Sequence, residues 1–148
     1  MLPTMIVRTY EPEDRPAVLA LWQALFAYPE ARNQPAFVLD GKLRMDDDLL
    51  FVALDQSRVV GTLMAGYDGH RGWLYRLAVD ERSRGRGVAR ALVSAAERTL
   101  AARGCAKINL QTHHDNVAAV GFWRHIGYAE EARVSMGKTL GAKSDGGC

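Results

Sequence analysis

The chain has 148 residues, 48% of them hydrophobic and 24% charged, and 19 Lys and Arg against 17 Asp and Glu leave a formal charge of +2. That length fits one domain with its own core, and the balance excludes a disordered, collagen-like or low-complexity chain. The charge is far too small for a bulk nucleic-acid binder. No stretch approaches the roughly 20 apolar residues of a membrane span. Residues 1–14 carry no signal-peptide run. The two cysteines, Cys105 and the terminal Cys148, make no disulfide framework and no prenylation box, so a reducing, cytoplasmic setting is expected.

Met5 to Thr9 reads as a short strand that ends at Tyr10-Glu11-Pro12. Glu13 and Asp14 open a helix whose Val18, Leu21, Trp22 and Leu25 fall at helical spacing, and Pro29 closes it. Residues 34–45 predict a second, weaker helix with Phe37, Val38, Leu43 and Met45 as apolar positions, followed by the solvated turn Asp46 to Asp48. Leu49–Leu54, Arg58–Tyr67 and Trp73–Val79 then read as three strands of an antiparallel meander, with turns at Asp55-Gln56-Ser57 and Asp68 to Gly72. Val88, Ala91, Leu92, Ala95 and Leu100 define an amphipathic helix that Gly104 stops. A strand around Ile108 and Leu110 follows, then a helix over 116–126 with Val117, Val120 and Trp123 or Phe122 inward. Arg133 to Leu140 predicts a last strand, and the tail from Gly141 is small, polar and expected to be loose. The order predicts an α/β (α+β) domain over 5–140 rather than a regular βαβ alternation.

The chemistry concentrates between Leu77 and Ala89. Leu77-Ala78-Val79 runs through Arg82-Ser83-Arg84-Gly85-Arg86-Gly87 into the helix at Val88-Ala89. Glycines let backbone N–H groups approach a ligand, and a helix start adds unpaired donors and partial positive charge. Together they suit a pyrophosphate, and Arg82, Arg84, Arg86 and Arg90 add charge. A dinucleotide fingerprint is excluded because its third glycine position holds Arg90, and a P-loop at Gly137-Lys138-Thr139 fails because its first glycine position holds Ala132.

This segment resembles the acetyl-CoA motif of the GNAT superfamily of N-acetyltransferases, Gln/Arg-x-x-Gly-x-Gly/Ala, with Arg82, Gly85 and Gly87 in the defining places. Asn116, Ala119, Phe122, Trp123, Gly127 and Tyr128 resemble that family's second motif, and Tyr67 to Gly72 is similar to the small bacterial YpeA-like subgroup. The resemblance implies a mixed, mostly antiparallel twisted sheet flanked by helices, with acetyl-CoA as cosubstrate. It implies that Leu77, Ala78 and Val79 line the pantetheine arm. Arg84, Gly85, Arg86, Gly87, Val88 and Ala89 would hold the pyrophosphate, Asn116 would bond the pantetheine or a water, and Phe122 would pack nearby. The acceptor would be a small-molecule amine or a protein N-terminus, with no nucleic acid or membrane involved and a homodimer left open.

The family's acidic tyrosine position holds Trp123, whose indole supplies no acidic proton. Tyr128, His125 or water remain as donors, and Asp68 and His70 are the candidate bases at the start of the key strand. His113-His114-Asp115, read as strand residues facing alternate sides, argues against a metal. Trp22, Phe26 and Tyr28 either border an acceptor pocket or, as the default, belong to the core or its rim, and Tyr75 and Arg76 are expected on opposite faces of the strand, with one of the two lining the acceptor side. A non-catalytic acyl-CoA-binding or regulatory module on the same fold is the rival reading.

Overall fold

A computed structural model describes residues 4–141; Cys148 and most of the expected tail lie outside them. Five strands, β1 (Met5–Thr9), β2 (Leu50–Asp55), β3 (Arg58–Tyr67), β4 (Gly72–Val79) and β5 (Ile108–Leu110), form one sheet in the order β1-β2-β3-β4-β5. The first four are antiparallel neighbours, and β5 runs parallel to β4. Helices α1 (Arg15–Leu25) and α2 (Pro35–Met45) connect β1 to β2, α3 (Val88–Ala102) connects β4 to β5, and α4 (Val117–His125) follows β5. The meander, the mixed sheet and the element order as far as α4 are those expected.

The unbroken apolar run Leu49–Leu54 has a simple cause. Leu49, Phe51 and Ala53 pack with Leu92, Val93, Ala96 and Leu100 of α3, while Leu50, Val52 and Leu54 pack with Val18 and Trp22 of α1 and Leu39 of α2. A strand buried on both faces has no polar side to alternate with. In α2 the buried residues are Pro35 and Leu39, whereas Phe37, Leu43 and Met45 are exposed.

Two expectations are corrected. No strand forms over 133–140. The chain there is tied to the β5 region by side chains, through Lys107 and Asn109 to Glu131 and through Gln111 to Ser135. β5 is only three residues long, and Val134, Met136 and Leu140 find no apolar face, so an alternating pattern has nothing to bury. Val117 is the exposed first residue of α4 rather than an inward one, because α4 seats itself through Trp123, with Ala119 and Phe122 beside it.

The seat of α3 on the sheet sets where its N-terminus lies. A Cβ on Gly61 of β3 would come within 2.9 Å of Val88 Cγ1, 3.0 Å of the Ala78 carbonyl oxygen and 3.0 Å of Leu92 Cδ1. The closest contact is the branched Val88 side chain at the helix start and the Ala78 carbonyl belongs to the β4 backbone, so the added methyl has to push the helix start or the strand aside. Gly61→Ala is therefore expected to cost about 1–3 kcal/mol, read as a lowered urea midpoint, and to weaken any ligand bound at the start of α3. An unchanged midpoint would mean the close approach carries no constraint.

Candidate functional site

The sheet opens in its middle. β5 pairs with β4 only from Gly72 to Leu74, so from Tyr75 to Val79 β4 has β3 on one side and no strand of the described residues on the other. The register with β3 also breaks here. Thr62 pairs with Ala78 and Met64 with Tyr75, which leaves Leu63 opposite both Arg76 and Leu77. This is a β-bulge, and Arg76 occupies it at φ 53°, a left-handed conformation that costs an arginine on the order of 1–3 kcal/mol.

The bulge overturns the expectation that Tyr75 and Arg76 face opposite ways. Tyr75 pairs with Met64, which packs on the α1–α2 face, and the Arg76 guanidinium lies over aromatic rings on that same face. Its Cζ is 5.5 Å from the Trp22 ring centroid, 4.9 Å from that of Phe26 and 5.9 Å from that of Tyr28. Its Nη2 donates to the Asn33 carbonyl at 3.2 Å, and its Nη1 is buried with no hydrogen-bond partner among the described residues. Burial pulls the guanidinium below its ordinary range, yet arginine stays charged at neutral pH.

A buried relay holds the bulge. The Trp22 indole N–H donates to Thr62 Oγ1 at 2.8 Å, and the Thr62 hydroxyl donates to the Arg76 carbonyl at 3.1 Å. Two buried hydrogen bonds at about 1 kcal/mol each, with cation–π attraction of about 0.5–2 kcal/mol, match the cost of the backbone. Trp22 is thus core, with Phe26 and Tyr28 as its rim. Thr62 is the residue the sequence reading missed. Its only signal is a hydroxyl in an otherwise apolar stretch, Val59 to Met64.

β4 leads directly into the glycine turn. Gly85 (φ 76°) and Gly87 (φ 83°) both take left-handed conformations, and a Cβ on Gly85 would meet nothing within 4 Å. The N–H groups from Gly85 to Ala89 make no hydrogen bond to another described residue, and the first bond back into this turn runs from Ala91 to the Gly87 carbonyl at 3.0 Å. The turn is an open cradle of donors at a helix start. Arg84, Arg86 and Arg90 surround it, exposed and without a carboxylate partner among the described residues. Arg82 differs from expectation: it is spent on Asp80, with its N–H at 2.9 Å and its Nε and Nη2 at 3.3 Å from that carboxylate. The Arg82 side chain holds Asp80 below the usual carboxylate range.

The residues expected to handle protons are engaged elsewhere. Asp68 accepts from the His70 and Arg71 N–H groups, both at 2.8 Å, and these bonds, Arg71 first, depress its carboxyl. His70 Nε2 lies 3.0 Å from Arg71 Nη1, which can only donate, so the ring lone pair is taken. The Tyr128 hydroxyl donates to Glu97 at 2.8 Å, and burial, then Glu97, pushes the phenol far above its ordinary value. Asn116 Oδ1 caps α4 by accepting from the Ala119 N–H at 3.1 Å, and Phe122 packs edge-on against Trp123 with centroids 5.2 Å apart. His113, His114 and Asp115 sit in an exposed loop rather than a strand, with ligand atoms all within 4.8 Å of one another. A cavity of about 790 Å³ lies at the β1 edge, lined by Arg8, Asp14, Arg58 and Val59 and by none of the sequence-predicted site residues.

The family model described as the acetyltransferase (GNAT) family matches residues 15–128. An acetyltransferase of Pectobacterium atrosepticum is 40% identical over 136 residues, which are 92% of this chain and 96% of that one. Among solved structures, Ard1 from Thermoplasma volcanium superposes with a TM-score of 0.77 at 26% identity, over 87% of this chain and 85% of that one. Aminoglycoside N-acetyltransferase AAC(6')-Iy in complex with CoA superposes with a TM-score of 0.75 at 21% identity, over 91% of this chain and 94% of that one.

The relay makes a measurable demand on Thr62. Thr62→Val keeps the shape but leaves the Trp22 N–H and the Arg76 carbonyl without their partners. It is expected to cost about 1–3 kcal/mol per orphaned group, and so to lower Tm by several degrees. Trp fluorescence is expected to change with it. A melting temperature and spectrum equal to the parent's would show that the bulge stands without the relay.

Proposed function

Because this chain belongs to the acetyltransferase (GNAT) family, we propose that it moves the acetyl group of acetyl-CoA directly to an amine. The observation that carries the reading is the free edge of β4 from Tyr75 to Val79 running into a turn of unpaired N–H donors. An extended pantetheine arm with amide groups fits the first as a strand would, along Leu77, Ala78 and Val79. A pyrophosphate fits the second, on the N–H groups from Gly85 to Ala89, with Arg84 and Arg86 beside it. Bound acetyl-CoA supplies an acyl group activated as a thioester.

The amine nitrogen forms a bond to the acyl carbon while the carbon–sulfur bond breaks and sulfur keeps the electron pair. A β4 backbone N–H polarises the carbonyl, in the manner of an oxyanion hole. The amine's proton passes to water, because Asp68 closes its own turn and His70 is occupied by Arg71. The thiolate leaves without a side-chain acid, since Trp123 cannot supply one and the Tyr128 proton is committed to Glu97. Asn116 keeps its Nδ2 for the pantetheine or a water, and Phe122 packs beside the arm. The acceptor in this reading is a small-molecule amine or a protein N-terminus.

Gly87→Glu sets a bulky anion where the pyrophosphate approaches and is expected to abolish acetyl-CoA binding in calorimetry, with the far-UV spectrum retained. A folded variant with parental affinity would remove the assigned site. Turnover measured as thiol release on an amine panel separates an enzyme from a binding module, which would bind without turning over.

Tyr128→Phe tests the acid. It removes one hydrogen bond to Glu97 and is expected to lower turnover less than about tenfold, whereas a general acid is worth about 10²–10⁴-fold. A loss of a hundredfold, with folding and cofactor affinity intact, would make Tyr128 the proton donor.

A further inference from the structure

We propose that Arg76 determines acceptor specificity, and that the acceptor is a small amine carrying a carboxylate, which the Arg76 guanidinium binds inside the Trp22, Phe26 and Tyr28 cage. The proposal rests on the acetyltransferase reading above and narrows it from any amine to an amino-acid-like one.

Three observations carry it. The first is the missing counter-charge. Arg8, Arg15, Arg58, Arg82 and Arg124 all pair with carboxylates, yet Arg76, half-buried, pairs with none among the described residues. A guanidinium withdrawn from water ordinarily has an anion in its fork. Here three aromatic rings and one backbone carbonyl stand in that place.

The second is the orphaned Nη1. A buried donor without a partner costs about 1–3 kcal/mol, and here it adds to the cost of a left-handed arginine. Both costs fall on one residue, at the bulge of the strand whose free edge takes the pantetheine. A carboxylate satisfies Nη1 and the remaining fork together, since its two oxygens match two parallel guanidinium N–H groups.

The third is position. Arg76 and Tyr75 share the α1–α2 face, and the outer wall of the cage is Tyr28, about half exposed on the chain joining α1 to α2. Nη1 is itself covered, and the outermost ring near it is a surface side chain, so in this proposal the carboxylate reaches it by displacing Tyr28 rather than the core. Asp68 is close enough for its charge to raise the Tyr75 phenol, after the larger effect of burial. One positive and one negative group flanking Tyr75 complement a zwitterion, whereas a polycationic acceptor meets a like charge at Arg76.

The test uses product mimics, so that it does not depend on turnover. CoA is titrated first into the parent and into Arg76→Gln and Arg76→Lys. N-acetylglycine, N-acetyl-L-leucine and N-acetyl-L-phenylalanine, each beside its own carboxamide, are then titrated into the CoA complexes. At least one acid is expected to bind the parent about tenfold or more tighter than its amide. Arg76→Gln is expected to bring that ratio below about threefold while CoA affinity holds. Arg76→Lys, a point charge without the fork, is expected to fall between the two. Equal binding of acid and amide, no binding of any acid at millimolar concentration, or a ratio that survives in Arg76→Gln overturns the proposal. If Arg76→Gln does not fold, Arg76→Lys decides: a ratio reduced about threefold or more supports it and an unchanged one overturns it. Failure of CoA to bind the parent overturns the acetyltransferase reading instead, and the acid-to-amide ratio without CoA still reports on Arg76.

Discussion

The cleft depends on one buried connection, from the Trp22 indole through the Thr62 hydroxyl to the carbonyl of Arg76. It joins the hairpin of β3 and β4 to α1, which lies some forty residues earlier in the chain. It fixes the point where β4 leaves regular pairing. A threonine can do this because its hydroxyl both accepts and donates, so one side chain satisfies a buried donor and a buried acceptor at once. Valine, its isostere, would pack equally well and connect nothing.

From that point the site follows with little further specification. β5 is too short to accompany β4 beyond Leu74, so the strand keeps a free edge. The same strand delivers the chain into left-handed glycines and an uncapped helix start. Close packing of Gly61 under Val88 and Leu92 holds that helix start against the sheet. The anion-binding turn and the open edge are therefore two ends of one rigid strand, and their spacing is set by the core rather than by loops.

The sequence made most of this legible where periodicity or glycine spacing carried the information. The meander could be read from Leu49 to Val79, and the donor-rich turn from Gly85 and Gly87, because local backbone requirements show in residue type. The bulge could not be read, since Arg76 is not a glycine and its conformation is imposed by Thr62 and the rings of α1 and the chain after it. The commitments of Tyr128 to Glu97 and of Arg82 to Asp80 were hidden for a related reason: each depends on which charged neighbour the fold brings near. The alternation over 133–140 misled because a strand needs a partner as well as a pattern, and three residues of β5 do not provide one.

Arg76 also stands outside the counting that builds the sheet. Leu74, Leu77 and Val79 face α3, while Tyr75 and Ala78 face α1 and α2. Strike out residue 76 and that order alternates perfectly, as an ordinary strand would. The apolar alternation of the strand does not need this residue; what engages it is the Thr62 hydroxyl on its carbonyl and the three rings against its guanidinium. A strand one residue shorter would be the more regular element, with an unbroken ladder against β3, no left-handed residue and no cation under the rings. The longer version sets a guanidinium against three rings on the α1–α2 face, a placement that regular alternation would have given to the opposite side of the sheet.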